Sequence, residues 1–150
     1  MVRLDAVNYL LGVLGSAPVA ALTNKNPDVD TANNALNAAV ISVTSNGYWF
    51  NEVYNVTFSP DPATKKIDIT GYTKIVSRNT YAIARTPYLF DPKNNTYLFE
   101  EDVIADAVAI LDFDVLPASV QDAVQYWAGV QLCTVELEDN VKRSEMKEFY

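Results

Sequence analysis

The chain has 150 residues, 49% of them hydrophobic, which is about the length of one domain with apolar material enough for a core. Its formal net charge is −8, and so acidic a protein is poorly suited to binding a phosphate backbone, which takes clustered Lys and Arg. There is no histidine and a single cysteine, Cys133, which excludes a histidine-based triad, a histidine metal site, a pH switch near neutrality and an internal disulfide.

The first predicted element is a helix over residues 3–15. Leu4, Val7, Leu11 and Leu14 recur at three and four residues and form one apolar stripe. Asp5 and Asn8 interrupt the apolar run, which argues against a signal peptide. No run reaches the roughly 18 apolar residues of a membrane span, so no membrane association is expected. Gly15, Ser16 and Pro18 end this helix. A second helix is predicted over 27–46, with Asn26 as N-cap, Pro27 at the first helical position and Asp28 in the positive first turn. Val29, Ala32, Leu36, Ala39 or Val40, and Val43 keep its period. Ala32, Ala35 and Ala39, with Ala38 beside them, permit close helix packing and are candidate interface residues. Gly47 suits the left-handed position that closes it.

Residues 48–112 form a β-rich insertion. Tyr48, Trp49 and Phe50 could stack sugars or bases, but the simpler expectation is that they turn into the core. "NEVYNVTFS" alternates, placing Val53, Asn55 and Thr57 on one side and Tyr54, Val56 and Phe58 on the other. "KKIDIT" alternates too, and "YLFDPKNNTYLFE" reads as two short strands around a hairpin turn. In "EEDVIADAVAILDF" the alternation of Val103, Ala105, Ala107, Ala109 and Leu111 favours a strand over the helix that local propensity would allow.

Phe113, Leu116 and Pro117 then form a candidate structural hinge, the first two buried at a junction and the proline setting the angle. A third helix is predicted over about 117–138, with Ser119 and Asp122 as an alternative cap. Val120, Val124, Trp127 and Gln131, flanked by Ala123, Val130 and Val135, are its expected apolar face. Tyr126 and Trp127 point about 100° apart on a helix, so one can be core while the other meets a neighbouring subunit. The acids of "ELEDN" disfavour a helix end at that point. Either the helix frays there or it continues into "VKRSEMKEFY". Residues 139–150 are taken as a C-terminal tail in need of a docking surface, with Phe149 and Tyr150 as candidate contacts. The outline is one α+β domain: a three-helix bundle-like core, from two N-terminal helices and one long C-terminal helix, with an inserted antiparallel β-sheet lobe.

Catalytic chemistry has a thin basis. Asp112 and Asp114 lie two apart, and on a strand they would share a face at roughly 6–7 Å, within reach of a glycosidase carboxylate pair. The plainer reading is that they are solvated strand-end acids. No calcium-loop spacing, metal-ligand set or glycine-rich phosphate loop is present, so no metal or cofactor is expected. Cys133 is expected in the core rather than as a nucleophile.

Five stretches in order carry a resemblance: "LDAVNYLLGVLGSAPV", "NPDVDTANNAL", "SNGYWFN", "LFDPKNNTYLFE" and "ILDFDVLPASVQDAVQY". Together they resemble tail tubular protein A, the head–tail adaptor of T7-like short-tailed phages, over most of residues 3 to 128. That family typically has Leu-Asp-Ala-Val-Asn at its start, Gly-aromatic-x-Phe-Asn after the second helix and Phe-x-x-Leu-Pro before the third. Here these fall on Leu4 to Asn8, Gly47 to Asn51 and Phe113 to Pro117. The resemblance implies a non-enzymatic virion protein in the tail or neck, assembled in the host cytoplasm. Its implied partners are further copies of itself in a ring of twelve, the portal protein and the tail nozzle protein, with DNA passing through the lumen without specific binding. Relatives run longer, with a further C-terminal helix of which "RSEMKEFY" would be only the beginning. The alternatives are a virion-associated carbohydrate-degrading protein and an unrelated soluble interaction domain.

Overall fold

A computed structural model describes the backbone of residues 1–149 and the side chains of residues 1–135. The chain divides into two compact units, one of Met1–Val43 with Asp112–Tyr150, the other Thr44–Leu111. The composition is α+β, as expected: three helices, a three-stranded antiparallel sheet and a two-stranded sheet.

The first unit is built on α1 (Arg3–Val13), α2 (Pro27–Thr44) and α3 (Ala118–Phe149). On α1 the buried residues are Ala6, Val7, Leu10 and Leu11, while Leu4 and Leu14 at the ends of the predicted stripe are only half-buried. α2 starts as read: the Asp28 N–H donates to Asn26 Oδ1 at 3.0 Å, and Val29, Ala32, Leu36, Ala39 and Val40 are buried. Both helices stop two residues short of the predicted ends, with Gly15 and Gly47 at φ +78° and +89°. Contacts run in the same order along α1 and α3, Met1 with Gln121 and then Tyr9 with Gly129, so these two helices are parallel. Arg3 bonds Asn33 and Asn37 while Ser16 bonds Asp28, so α2 runs antiparallel to α1.

Two readings of α3 need correction. Its buried stripe is Gln121, Val124, Ala128 and Leu132, one position round from the expected Val120, Trp127 and Gln131. The polar Gln121 is the cause. Its Nε2 donates to the carbonyls of Met1 (3.0 Å) and Phe113 (2.9 Å), which lets an amide be buried where a hydrophobic pattern registers none. Val135 and Cys133 are exposed rather than core. The helix also does not end near residue 138. Its backbone continues to Phe149, so the acids of "ELEDN" are internal to the helix and the tail is its extension. The side chain of Phe149 and the whole of Tyr150 lie outside the described residues.

The second unit contains β1 (Glu52–Phe58), β2 (Tyr72–Ser77), β3 (Ile83–Arg85), β4 (Tyr88–Phe90) and β5 (Val103–Ala109). The larger sheet has the order β1-β5-β2, all antiparallel, with β5 central. The strand reading of 103–109 holds: Val103, Ala105 and Ala107 point into a core shared with Phe58, Ile67, Ile69, Leu89 and Phe99. β1 departs from simple alternation. A bulge between Val53 and Val56, with Asn55 at φ +55°, puts both valines on the core side and leaves Tyr54 exposed.

In the 65–70 stretch Lys66 and Asp68 form isolated bridges rather than a continuous strand, and Ile67 and Ile69 are buried. The predicted hairpin at 88–99 is half present. β4 pairs instead with β3, and past the Asp91–Thr96 bridge the chain leaves to bond the 65–66 segment, the Phe99 N–H donating to the Lys65 carbonyl at 2.8 Å. One turn is used twice here. Asp61-Pro62 and Asp91-Pro92 each open a six-residue loop in which the aspartate Oδ1 accepts two backbone N–H groups. Each loop has a left-handed fifth residue, Lys65 (φ +62°) or Asn95 (φ +53°).

Candidate functional site

The hinge lies between β5 and α3. Phe113–Val115 form a single 3-10 turn, with Phe113 fully buried and Leu116 5% exposed. Pro117 immediately precedes α3 rather than occupying its first turn. Its carbonyl accepts from the Val120 and Gln121 N–H groups, both at 2.9 Å, which places Ser119 inside the first turn rather than at the cap. Asp112 and Asp114 lie on this turn and not on a strand. The Asp112 carboxylate caps Phe113 N–H at 2.8 Å and pairs with the Arg3 guanidinium, while Asp114 accepts the Arg3 backbone N–H at 2.7 Å. The Arg3 hydrogen bond, reinforced by its charge, holds the Asp112 pKa below the usual carboxylate range.

Sequence reasoning missed Arg3. This one side chain joins the hinge to α2, donating to Asn33 Oδ1 at 2.9 Å and to Asn37 Oδ1 at 2.6 Å. The available signal was Asn33 and Asn37 at helical i, i+4 spacing, which lines two amide acceptors on one face.

The remaining surface of the helical unit is apolar at two grooves. Between α2 and α3, a groove of about 230 Å³ is lined by Ala35, Ala38, Ala39, Ser42, Trp127 and Gln131. Of the predicted interface residues, Ala32 and Ala39 are buried within the unit, Ala35 is half-buried and Trp127 is 43% exposed. Between α1 and α3, Tyr9 and Val13 face Gly129, Val130 and Cys133, with Tyr126 68% exposed beside them. Gly129 lets Tyr9 lie close to α3, since a Cβ there would stand 3.3 Å from Tyr9 Cε1.

In the β unit, residues 47–51 form a rigid aromatic turn. Asn51 is 1% exposed; its Nδ2 donates to the carbonyls of Thr44 (2.9 Å) and Ala109 (3.3 Å), and its Oδ1 accepts the Tyr48 N–H at 2.7 Å. A Cβ on Gly47 would sit 2.8 Å from Glu52 Oε1 and 2.9 Å from Val108 Cγ2. The turn holds Tyr48 stacked on Phe50, with Trp49 edge-on to Phe50. These rings do not enter the core as expected: Trp49 is 84% exposed and Tyr48 44%. On the outer face of the sheet, Arg78 grips Asp106 with two bonds of 2.8 and 2.5 Å, and this hydrogen bonding depresses the Asp106 pKa and raises that of Arg78.

Among the described residues no group of His, Cys, Asp and Glu is placed to hold a metal ion, and no helix is long and apolar enough to cross a membrane. What the molecule presents is an α+β protein whose distinctive surfaces are apolar helix grooves and a fixed aromatic turn. The chain belongs to the tail tubular protein family, whose model matches residues 4–149. It is accordingly a structural protein of the phage tail, located in the virion. A search of curated proteins found no match.

Proposed function

We propose that this tail protein is the head–tail adaptor, a homo-oligomeric ring of twelve copies between the portal and the tail nozzle. In this reading it is assembled in the host cytoplasm, forms part of the DNA channel, and residues 1–150 act as one adaptor domain without catalytic function. The observation that carries the reading is the α2–α3 groove with Trp127 at its rim, beside the open face of α3 that bears Tyr126. Large apolar side chains left in contact with water next to small-residue grooves are what subunit packing would cover. A cyclic ring uses two different faces of each copy, and the helical grooves and the aromatic turn are two such faces. Helix α3, continuing to Phe149, is the element that would reach the portal. The net charge of −8 supports a lumen that repels DNA rather than holding it, and a ring lined mainly by Lys or Arg would overturn that point.

The test is negative-stain imaging of the purified chain, alone and mixed with the portal ring from the same source. Rings on portals establish the adaptor and give its symmetry. Bare portals beside a monomeric chain refute it.

A further inference from the structure

One face of the β3–β4 hairpin carries cations laid on aromatic rings. The Arg85 guanidinium carbon lies 3.7 Å from the centre of the Phe90 ring, and Phe90 meets Tyr97 edge-on at 5.0 Å. Lys66 Nζ lies 5.0 Å from the centre of Tyr88, and Tyr88 is the register partner of Arg85. Cation, ring, cation, ring form one continuous strip. The ion pairs among the described residues use Arg3, Lys65 and Arg78; Arg85 and Lys66 have none. Among the described residues these two cations are thus left without a carboxylate, in a chain with 19 acids. Arg85 is exposed while its guanidinium lies over Phe90, so its N–H donors are open to a partner, and a guanidinium fork suits a carboxylate.

We infer that this strip is a docking surface for carboxylates of the helical unit of a second copy of this chain. Charge complementarity selects that occupant. Residues 44–111 hold six Lys and Arg against eight acids, whereas the remaining residues hold five against eleven, so most of the negative charge belongs to the helical unit. A phosphate backbone would meet the same fork but also the repulsion of the −8 chain. Hairpin of one copy against helices of the next is a head-to-tail contact, and the inference rests on the ring reading above.

The experiment is zero-length carbodiimide coupling of amines to carboxylates on assembled rings, made from equal parts of ¹⁴N- and ¹⁵N-labelled chain and mapped by mass spectrometry. The expected result is a mixed-isotope link from Lys66 to an acid within 1–43 or 112–150. A Lys66→Glu/Arg85→Glu chain is expected to lose rings by about tenfold or more at physiological salt while keeping the parent's melting temperature. Arg85→Gln, which alters charge with little change in shape, should lose fewer. Rings that form with no such link, and that are indifferent to both variants, overturn this inference and leave the adaptor intact. Binding of a DNA duplex that is abolished by Arg85→Gln would assign the strip to phosphate instead. Absence of rings from the parent chain and portal together removes the adaptor reading, and this inference with it.

Discussion

Replacing Asn51 by alanine tests whether the aromatic turn is held by one buried amide. The parent side chain is 1% exposed and makes three hydrogen bonds, to the Thr44 and Ala109 carbonyls and from the Tyr48 N–H. Alanine removes all three. The Tyr48 N–H loses its 2.7 Å acceptor at a part-buried site, and a donor left unsatisfied costs about 1–3 kcal/mol, toward the low end where water reaches it. Each carbonyl loses one donor, a smaller loss because a carbonyl oxygen has two lone pairs. The sum is about 2–4 kcal/mol, or roughly 5–15 °C in melting temperature for a chain of this size. Urea unfolding followed by Trp fluorescence measures it, and amide exchange at Tyr48 locates it. Asn46→Ala, at an exposed neighbouring position, is the control and should shift stability by less than about 0.5 kcal/mol. An Asn51→Ala chain as stable as that control, with Tyr48 still protected, would refute the account.

Three further outcomes are expected. Leu116→Ala should lower unfolding free energy by about 2–4 kcal/mol, because truncation leaves a cavity at the buried hinge; an unchanged melting temperature would place Leu116 outside the core. Asp112→Asn should destabilise the chain at neutral pH and match the parent in acid. A depressed folded pKa contributes stability that is fully present above the unfolded carboxylate range near pH ~4 and is lost as pH falls through the folded value. A parent–variant gap that persists at pH ~2, read from denaturation midpoints, would show that the Arg3–Asp112 charge pair is not its source. Gly12→Ala should stabilise by about 0.5–1 kcal/mol, since Gly12 lies within α1 and a Cβ there meets nothing within 4 Å; destabilisation by calorimetry would contradict that open space.

Periodicity and end signals made the helices and the central strand readable. The α2 stripe of Val29, Ala32, Leu36 and Val40 and its Asn26 cap depend on residues close in sequence, as does the inward alternation of Val103, Ala105 and Ala107. Trp49 was misplaced because a large apolar residue defaults to the core in any local reading, whereas its exposure follows from Asn51 bonding to Ala109, 58 residues away. The β1 bulge was hidden for a related reason: the extra residue at Tyr54–Asn55 matters only once β5 supplies the partner register.

By itself, then, the sequence determined the α+β class, where the three helices begin, the acidic character and the order of motifs shared with tail tubular proteins, all properties of neighbouring residues or of composition. Only the tertiary structure decided that Arg3 ties the hinge to α2, that Gln121 is buried while Trp127 is not, and that Asp112 pairs with Arg3. Those outcomes depend on hydrogen bonds between residues 30 to 120 positions apart, and such pairings leave no periodic trace in a single chain.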